Sequence, residues 1–575
     1  MNACAFLLLA TSLGAQQSPT GTPVTTATIE VVATAPVDAA GIEQNSVPSN
    51  VQIVAPRSGT SSTDALAAAV PALQFNDVQH NPLQRDIQFR GFTASPLLGV
   101  SQGVAVYTDG ARMNEPFGDV VNWDLVPDAA IEQIEILPGS NPLFGLNALG
   151  GVLSLRTKSG RTSPGTRAAI VASSLGSARA EATTGLATDR WDAFVAASGA
   201  HDDGWRDFSP SRHMQLFAKA GAAGEQALFE ASVTLSDADL RGNGPAPAQL
   251  LDEEWRAVFT HPDITENRAA AINGRGEWHF RGKTIAVINL HARRVGTDRF
   301  NGDDSPFERC AQDQDLLCEE GSAEEIVSKT GELIPSVIGG IPADAANNTS
   351  RTTTGTGALT AQLHRDVAAA GVRHRLLGGM TVEASRSRFR SDLEIASLTA
   401  ERGTTGHDIE VAEDAVRLRS TSRVIAVHAR DSIDFGRGSV LVALRHQRST
   451  LDLRDQLGDE LTGRHTFSRT NASAGATYEV SPRLTAFGSA GESSRAPTAV
   501  EVTCADPEDP CRLPNAFVSD PPLRQVVTRT FEAGARGESR AIRWSAALFD
   551  SSNRDDILFI ASGTTQGEGF FANVG

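Results

Sequence analysis

From about residue 165 onward the chain repeats one pattern: segments of roughly 9 to 15 residues alternate apolar and polar side chains and end in turns. Period two places successive side chains on opposite faces of a strand. Phe229, Ala231, Val233 and Leu235 share one face, and Glu230, Ser232, Thr234 and Ser236 the other. Ala286, Ile288, Leu290 and Ala292 oppose Asn289, His291 and Arg293 in the same way, and Trp544, Ala546 and Leu548 oppose Arg543, Ser545 and Ala547. A soluble sandwich also alternates, but it would bury large residues; here the apolar face is rich in Ala and the polar face carries Arg, His and Glu. Short turns (187–190, 221–225, 280–283, 434–438) alternate with long polar loops (about 237–265, 297–350, 391–414 and 495–524). Short turns on one rim and long loops on the other predict a transmembrane antiparallel β-barrel.

Composition removes the competitors. Among 575 residues with a mean hydropathy of -0.19, the only long apolar run is at the N-terminus, so no later segment offers the ~20 apolar residues of a spanning helix. A net charge of -18 argues against a nucleic-acid partner, which needs a basic face. Of the 5 Cys, Cys310/Cys318 and Cys504/Cys511 form two local pairs inside long loops, without the spacing of a zinc or redox motif. They read as two disulfides of an oxidising compartment. Residues 1–15 read as a signal peptide cut after Leu13-Gly14-Ala15, lacking the usual preceding Lys or Arg.

Residues 16–45 read as a flexible arm with one β-prone stretch, Thr28-Ile29-Glu30-Val31-Val32-Ala33, which could add to another protein's sheet edge. Residues 46–160 read as a compact α+β domain. It has a helix in TDALAAAVPAL capped by Ser62 or Thr63, then short strands over Asp86–Phe89, Val104–Tyr107, Ile131–Leu137 and Gly151–Arg156. No metalloprotease, nucleophile-elbow, phosphate-loop or dinucleotide motif occurs, so no enzyme is expected and no cofactor or metal is called for. Asp109 and Glu115 could be cast as general acids, yet no positioned partner is visible in the sequence.

Three stretches are more specific: DIQFRGF (86–92), VAVYTDGARMNEP (104–116) and IEQIEILPGSNPLFGLNALGGVLSLRTKSG (131–160). In order and spacing they resemble the plug domain of TonB-dependent outer-membrane receptors. TATIEVVATA (26–35) is similar to the TonB box that precedes such plugs. ESSRAPTAVEVTCADP (492–507), VVTRTFEAGARGE (527–538) and FFANVG (570–575) resemble late barrel strands of that family.

The resemblance implies a 22-stranded barrel with the plug inside it, in the outer membrane of a Gram-negative bacterium. It implies active uptake of a scarce ligand without covalent chemistry: ligand binding releases the TonB box (Thr28 to Ala33), TonB with its inner-membrane ExbB/ExbD partners pulls, and a channel opens. The partners implied are TonB, outer-membrane lipid and a small extracellular ligand, with the receptor a monomer. Arg90 matches a plug arginine that locks onto a barrel acid, which Glu532 resembles; a second plug arginine of the family is replaced by Pro138. Asp109, Gly91, Gly110, Gly139, Gly145, Gly150 and Gly151 are expected to serve turns and close packing. Position alone nominates Asn81, Gln84, Ser95, Asn114, Asp119, Asn122 and Trp123 as ligand-facing apices.

About 15 or 16 strands are expected between 165 and 575, short of 22, so the chain reads as C-terminally truncated. A ferric siderophore is the ligand expected on family frequency, with cobalamin, haem or carbohydrate as alternatives. A passive porin-like or degenerate barrel is the competing class, and residues 26–35 and 46–160 discriminate against it.

Overall fold

The computed structural model describes residues 31–37, 41–174, 176–321, 323–369, 371–507, 511–512, 523–539, 542–562 and 568–575. The expected signal peptide and Thr28, Ile29 and Glu30 lie outside these residues. From Gly165 to Arg554 the chain forms a continuous antiparallel meander of fifteen strands, each paired with the next in sequence along the path; a further strand, Thr404–Glu410, pairs beside it with Val372–Leu398. Among the described residues no pairing joins the first strand of this sheet, Gly165–Ala172, to the last, Arg543–Arg554. A small separate sheet of Cys511–Arg512, Glu568–Val574 and Asp556–Ala561 follows.

The alternation has the consequence period two predicts. Asn289, His291 and Arg293 are buried, while their neighbours Ile288 and Leu290 are exposed on the outer face. The exposed aromatics Trp191, Phe229, Phe280, Phe435, Tyr478 and Trp544 all lie at strand ends beside short turns. They make one interfacial belt of the kind that anchors barrels at the headgroup level. Trp and Phe carry that belt, which the sequence's 2 Tyr required.

Strands run longer than the alternation suggested. Val372–Leu398 has 27 residues, about 90 Å at a rise of roughly 3.3 Å per residue, so it projects far past a ~30 Å hydrocarbon core. The expected loops at 297–350 and 391–414 therefore shrink to 305–344 and 399–415, because ladder pairing continues above the lipid. Within 305–344, Phe307, Leu317, Ile326 and Ile334 join Leu393, Ile395 and Val411 in a small core of their own, stapled by the Cys310–Cys318 disulfide. Cys504 and Cys511 are likewise bonded.

The plug is a five-stranded sheet with a three-stranded sheet and one helix beside it. Its strands Asp86–Phe89, Val104–Thr108, Ile131–Pro138 and Gly151–Thr157 fall where expected. The helix Ser62–Ala69 is capped one residue earlier than read, by Ser61, whose hydroxyl accepts the Asp64 N–H at 3.0 Å. Leu66, Ile87, Val106, Ile134 and Leu153 form its dry core.

Candidate functional site

The seam between plug and barrel is where polar chemistry concentrates. Its position begins with two tight turns. Arg90 and Gly91, with φ of +53° and +85°, connect Asp86–Phe89 to Phe92–Ala94; Asp109 and Gly110, at +46° and +83°, connect Val104–Thr108 to Ala111–Arg112. Consecutive left-handed residues are the signature of a two-residue hairpin whose twist matches its strands, and Asp-Gly suits it best. Each turn thus throws a charged side chain out of the plug toward the wall.

Arg90 Nη1 lies 2.6 Å from Glu532 Oε2, with side-chain exposures of only 8% and 2%. The other Glu532 oxygen accepts the Asn50 N–H at 2.7 Å, and the guanidinium lies 4.1 Å from the centroid of Phe549. Beside this clasp Arg536 donates to the carbonyls of Asn45, Val47 and Ser49. On the opposite flank the polarity inverts, with acids on the plug and bases on the barrel. Asp109 pairs with Lys219 at 3.1 Å, Glu115 with Arg293 at 2.8 Å, and Asp128 with Arg179 at 3.2 Å. The sequence missed this second set, since its barrel bases sit in ordinary alternating strands; only the inward register of Arg293, visible in the pattern, pointed to it. Between the two flanks Leu143 and Ala35 pack on Leu377 and Ala443, and Arg445 donates to the Leu143 carbonyl at 3.2 Å.

Burial sets the charge states of the plug acids. Burial works to raise the Asp109 carboxyl, but Lys219 and the hydroxyl and amide of Thr157 outweigh it and hold it low. At Glu115 and Asp119 burial prevails over the neighbouring arginines and raises both. Asp124 is pushed up to about 7, again by burial, against a hydrogen bond from Asn267 at 3.0 Å.

The arm runs into this seam. Val31–Val32, at the described end of the β-prone stretch, pairs antiparallel with Ile42–Glu43. The Ala33 N–H donates to Glu135 Oε2 at 3.1 Å, Thr34 accepts from Arg430, and Val32 and Ala35 are fully buried. A polar cavity of about 370 Å³ opens beside the arm, lined by Asp109, Glu132, Glu135, Lys219, Glu230 and Arg275 among others.

The seven nominated apices are closed off by their neighbours. Asn81, Gln84, Ser95, Asn114, Asp119, Asn122 and Trp123 are all buried. Asn81 donates to Ser211 and the Arg241 carbonyl; Asn114 braces Val104 and Val106; Asp119 accepts from Arg112 and Asn147; Ser95 donates to Asp86; Trp123 belongs to the plug core. Several of these short polar side chains bond within their own segments, and Asn81 bonds the barrel wall. Gly139 and Gly145 sit at positive φ, a side chain on Gly145 would strike Arg445, and side chains on Gly150 and Gly151 would strike Phe92 and the Leu137 carbonyl.

The TonB-dependent Receptor Plug Domain family matches residues 43–152, and the TonB dependent receptor-like, beta-barrel family matches residues 330–575. Among solved structures, the chain is similar to the closed form of the ferric-catecholate import receptor Fiu from E. coli K12, with a TM-score of 0.69 at 13% identity, covering 95% of this chain and 78% of that one. It is similar to BauA, the ferric preacinetobactin receptor from Acinetobacter baumannii (TM-score 0.66, 13% identity, 94% and 76% covered). It also resembles the ferric yersiniabactin uptake receptor FyuA from Yersinia pestis (TM-score 0.63, 13% identity, 89% and 73% covered). At such identities the likeness carries the fold.

Proposed function

Because the chain belongs to the TonB-dependent receptors of the Gram-negative outer membrane, we propose that it imports a scarce extracellular ligand, energised by TonB through Thr28–Ala33, with a ferric siderophore as the first ligand to test. The observation that carries this reading is the seam itself. A plug is held by buried ion pairs at two places on the inner face of the strand sheet, and the arm that could release it is clasped to Glu135 and Arg430 at its edge. A lumen filled by a plug held in this way passes cargo only when work is done on the plug, which no passive pore requires. Strand addition of the arm to TonB would supply main-chain hydrogen bonds as the grip. Import then proceeds with no bond made or broken in the ligand. The siderophore assignment is supported by the uptake roles of the three structural neighbours.

The test is capture of the full chain, in detergent, by the periplasmic domain of TonB. Val31→Pro removes a main-chain donor and should abolish capture. Equal capture of both proteins would sink the assignment of the arm.

A further inference from the structure

The protein's net negative charge gathers at one rim. Six segments between strands of the large sheet, 203–210, 242–262, 305–344, 399–415, 456–462 and 496–525, contain 23 Asp and Glu against 7 Lys and Arg among their described residues. The rest of the chain holds 46 against 44, so these described residues carry a net charge of -16 in a protein of net charge -18. The described residues of all six lie on the rim opposite the aromatic belt. A surface of one sign concentrates ligands of the other and repels its own.

The same rim presents open aromatic faces above the plug. Trp205 and Trp255, from two different loops, stack with centroids 5.8 Å apart and planes within 8°. The plug's His80 meets the Trp205 ring edge-on at 5.5 Å. Phe208 stacks on His261 at 3.8 Å. Trp255 is 60% exposed and Phe208 51%, so each ring, stacked as it is, keeps an open surface. Arg206 holds the two loops together from beneath: fully buried, it donates to the carbonyls of Asn243, Gly244 and Ala257 at 2.7 to 3.1 Å. Its guanidinium also lies 5.6 Å from the centroid of Trp205; Asp252, Glu253 and Glu254 stand exposed immediately before Trp255, and Arg256, just after it, is paired with Asp207 at 3.3 Å. An aromatic face in an acidic field attracts cations through its quadrupole.

We propose that the ligand received at this rim is a positively charged metal chelate, seated against the Trp205–Trp255 stack. This rests on the importer reading and narrows it, since an anionic chelate would have to climb the rim's potential. The full chain in detergent would be titrated with two probes: a ferric trihydroxamate bearing a free ammonium, cationic overall, and a ferric tris-catecholate, anionic overall. The cationic probe is expected to bind and the anionic one not. Its affinity should fall steeply between about 0.05 and about 0.5 M salt, and Trp255→Ala should weaken it about tenfold, as loss of a desolvated cation–π contact does. Because Trp255 is exposed, that variant should fold; unchanged heat-modifiability on gels would verify it. Preference for the tris-catecholate, binding of neither probe, or cationic binding indifferent to both salt and Trp255→Ala would overturn the proposal. Capture by the TonB domain, measured on the same sample, reads the importer assignment separately: its failure alongside retained cationic binding would strike that assignment and not the charge of the ligand.

Discussion

Replacing Arg90 by Ala leaves the Glu532 carboxylate buried with one donor, the Asn50 N–H, in place of two. Removing one partner of a buried pair costs about 3–5 kcal/mol, because the survivor stays desolvated without its counter-charge. Loss of the guanidinium from the face of Phe549 adds about 1 kcal/mol. The converse change, Glu532→Ala, strands Arg90 and the Asn50 amide and should cost a comparable amount. The double variant buries no charge, so its cost should fall well short of the sum, with a coupling of about 2–3 kcal/mol. The assay is release of the plug in urea with the barrel intact, followed by protease cleavage within residues 46–160. For a domain of this size, a slope of about 1–2 kcal/mol per M turns the Arg90→Ala loss into a midpoint lower by about 2 M or more. Single variants shifting stability by less than about 0.5 kcal/mol, or a double variant equal to their sum, would show that the pair is not a clasp.

Other perturbations probe other parts of the seam. Glu115→Gln should loosen the opposite flank by about 1–3 kcal/mol in the same urea assay, leaving Arg293 buried without its charge partner. Asp124 makes docking pH-dependent: its pKa in the folded protein, about 7, lies above the ordinary carboxyl value, so its contribution is full at acid pH and is lost as pH rises through about 7. Asp124→Asn should flatten that part of the profile, visible as a smaller difference in plug release between pH 5 and pH 8. Glu135→Ala removes the acceptor of the Ala33 N–H and should increase protease cutting near residue 33 without lowering the stability of the barrel. Gly110→Val places a side chain at φ +83° within 2.7 Å of the Pro36 carbonyl, and should displace the arm at a cost of roughly 2 kcal/mol, read by the same cleavage.

Much of this was legible in the chain itself. Alternation is a property of single strands, so Ile288 and Leu290 declare the outer face and Asn289, His291 and Arg293 the inner one with no knowledge of neighbours. The turn at Asp109-Gly110 was equally local. The clasp needed more: nothing near Arg90 names a residue 442 positions away, and only likeness to a family motif joined it to Glu532. The inverted pairs were hidden because Lys219 and Arg179 look like any lumen-facing base until the plug's register is known. The nominated apices are a different case. Asn, Asp and Ser mark turns whether or not they meet a ligand, and at Asn114 and Asp119 the turn claims every polar atom that burial allows.

The short ladder of Val31–Val32 against Ile42–Glu43 also fixes how the seam responds to tension. Val31 and Glu43 form its outermost pair, at the open end of the hairpin. A load applied ahead of Val31 therefore meets one pair of main-chain bonds at a time, as a zip does, and never the whole ladder in shear. Little tension is needed to part the first pair. The load then passes to Ala33 and Thr34, gripped by side chains from the plug and from the wall, and there resistance rises in a step. Slack first and a firm stop second would let casual thermal tugs dissipate in the hairpin, so that only sustained traction reaches the plug.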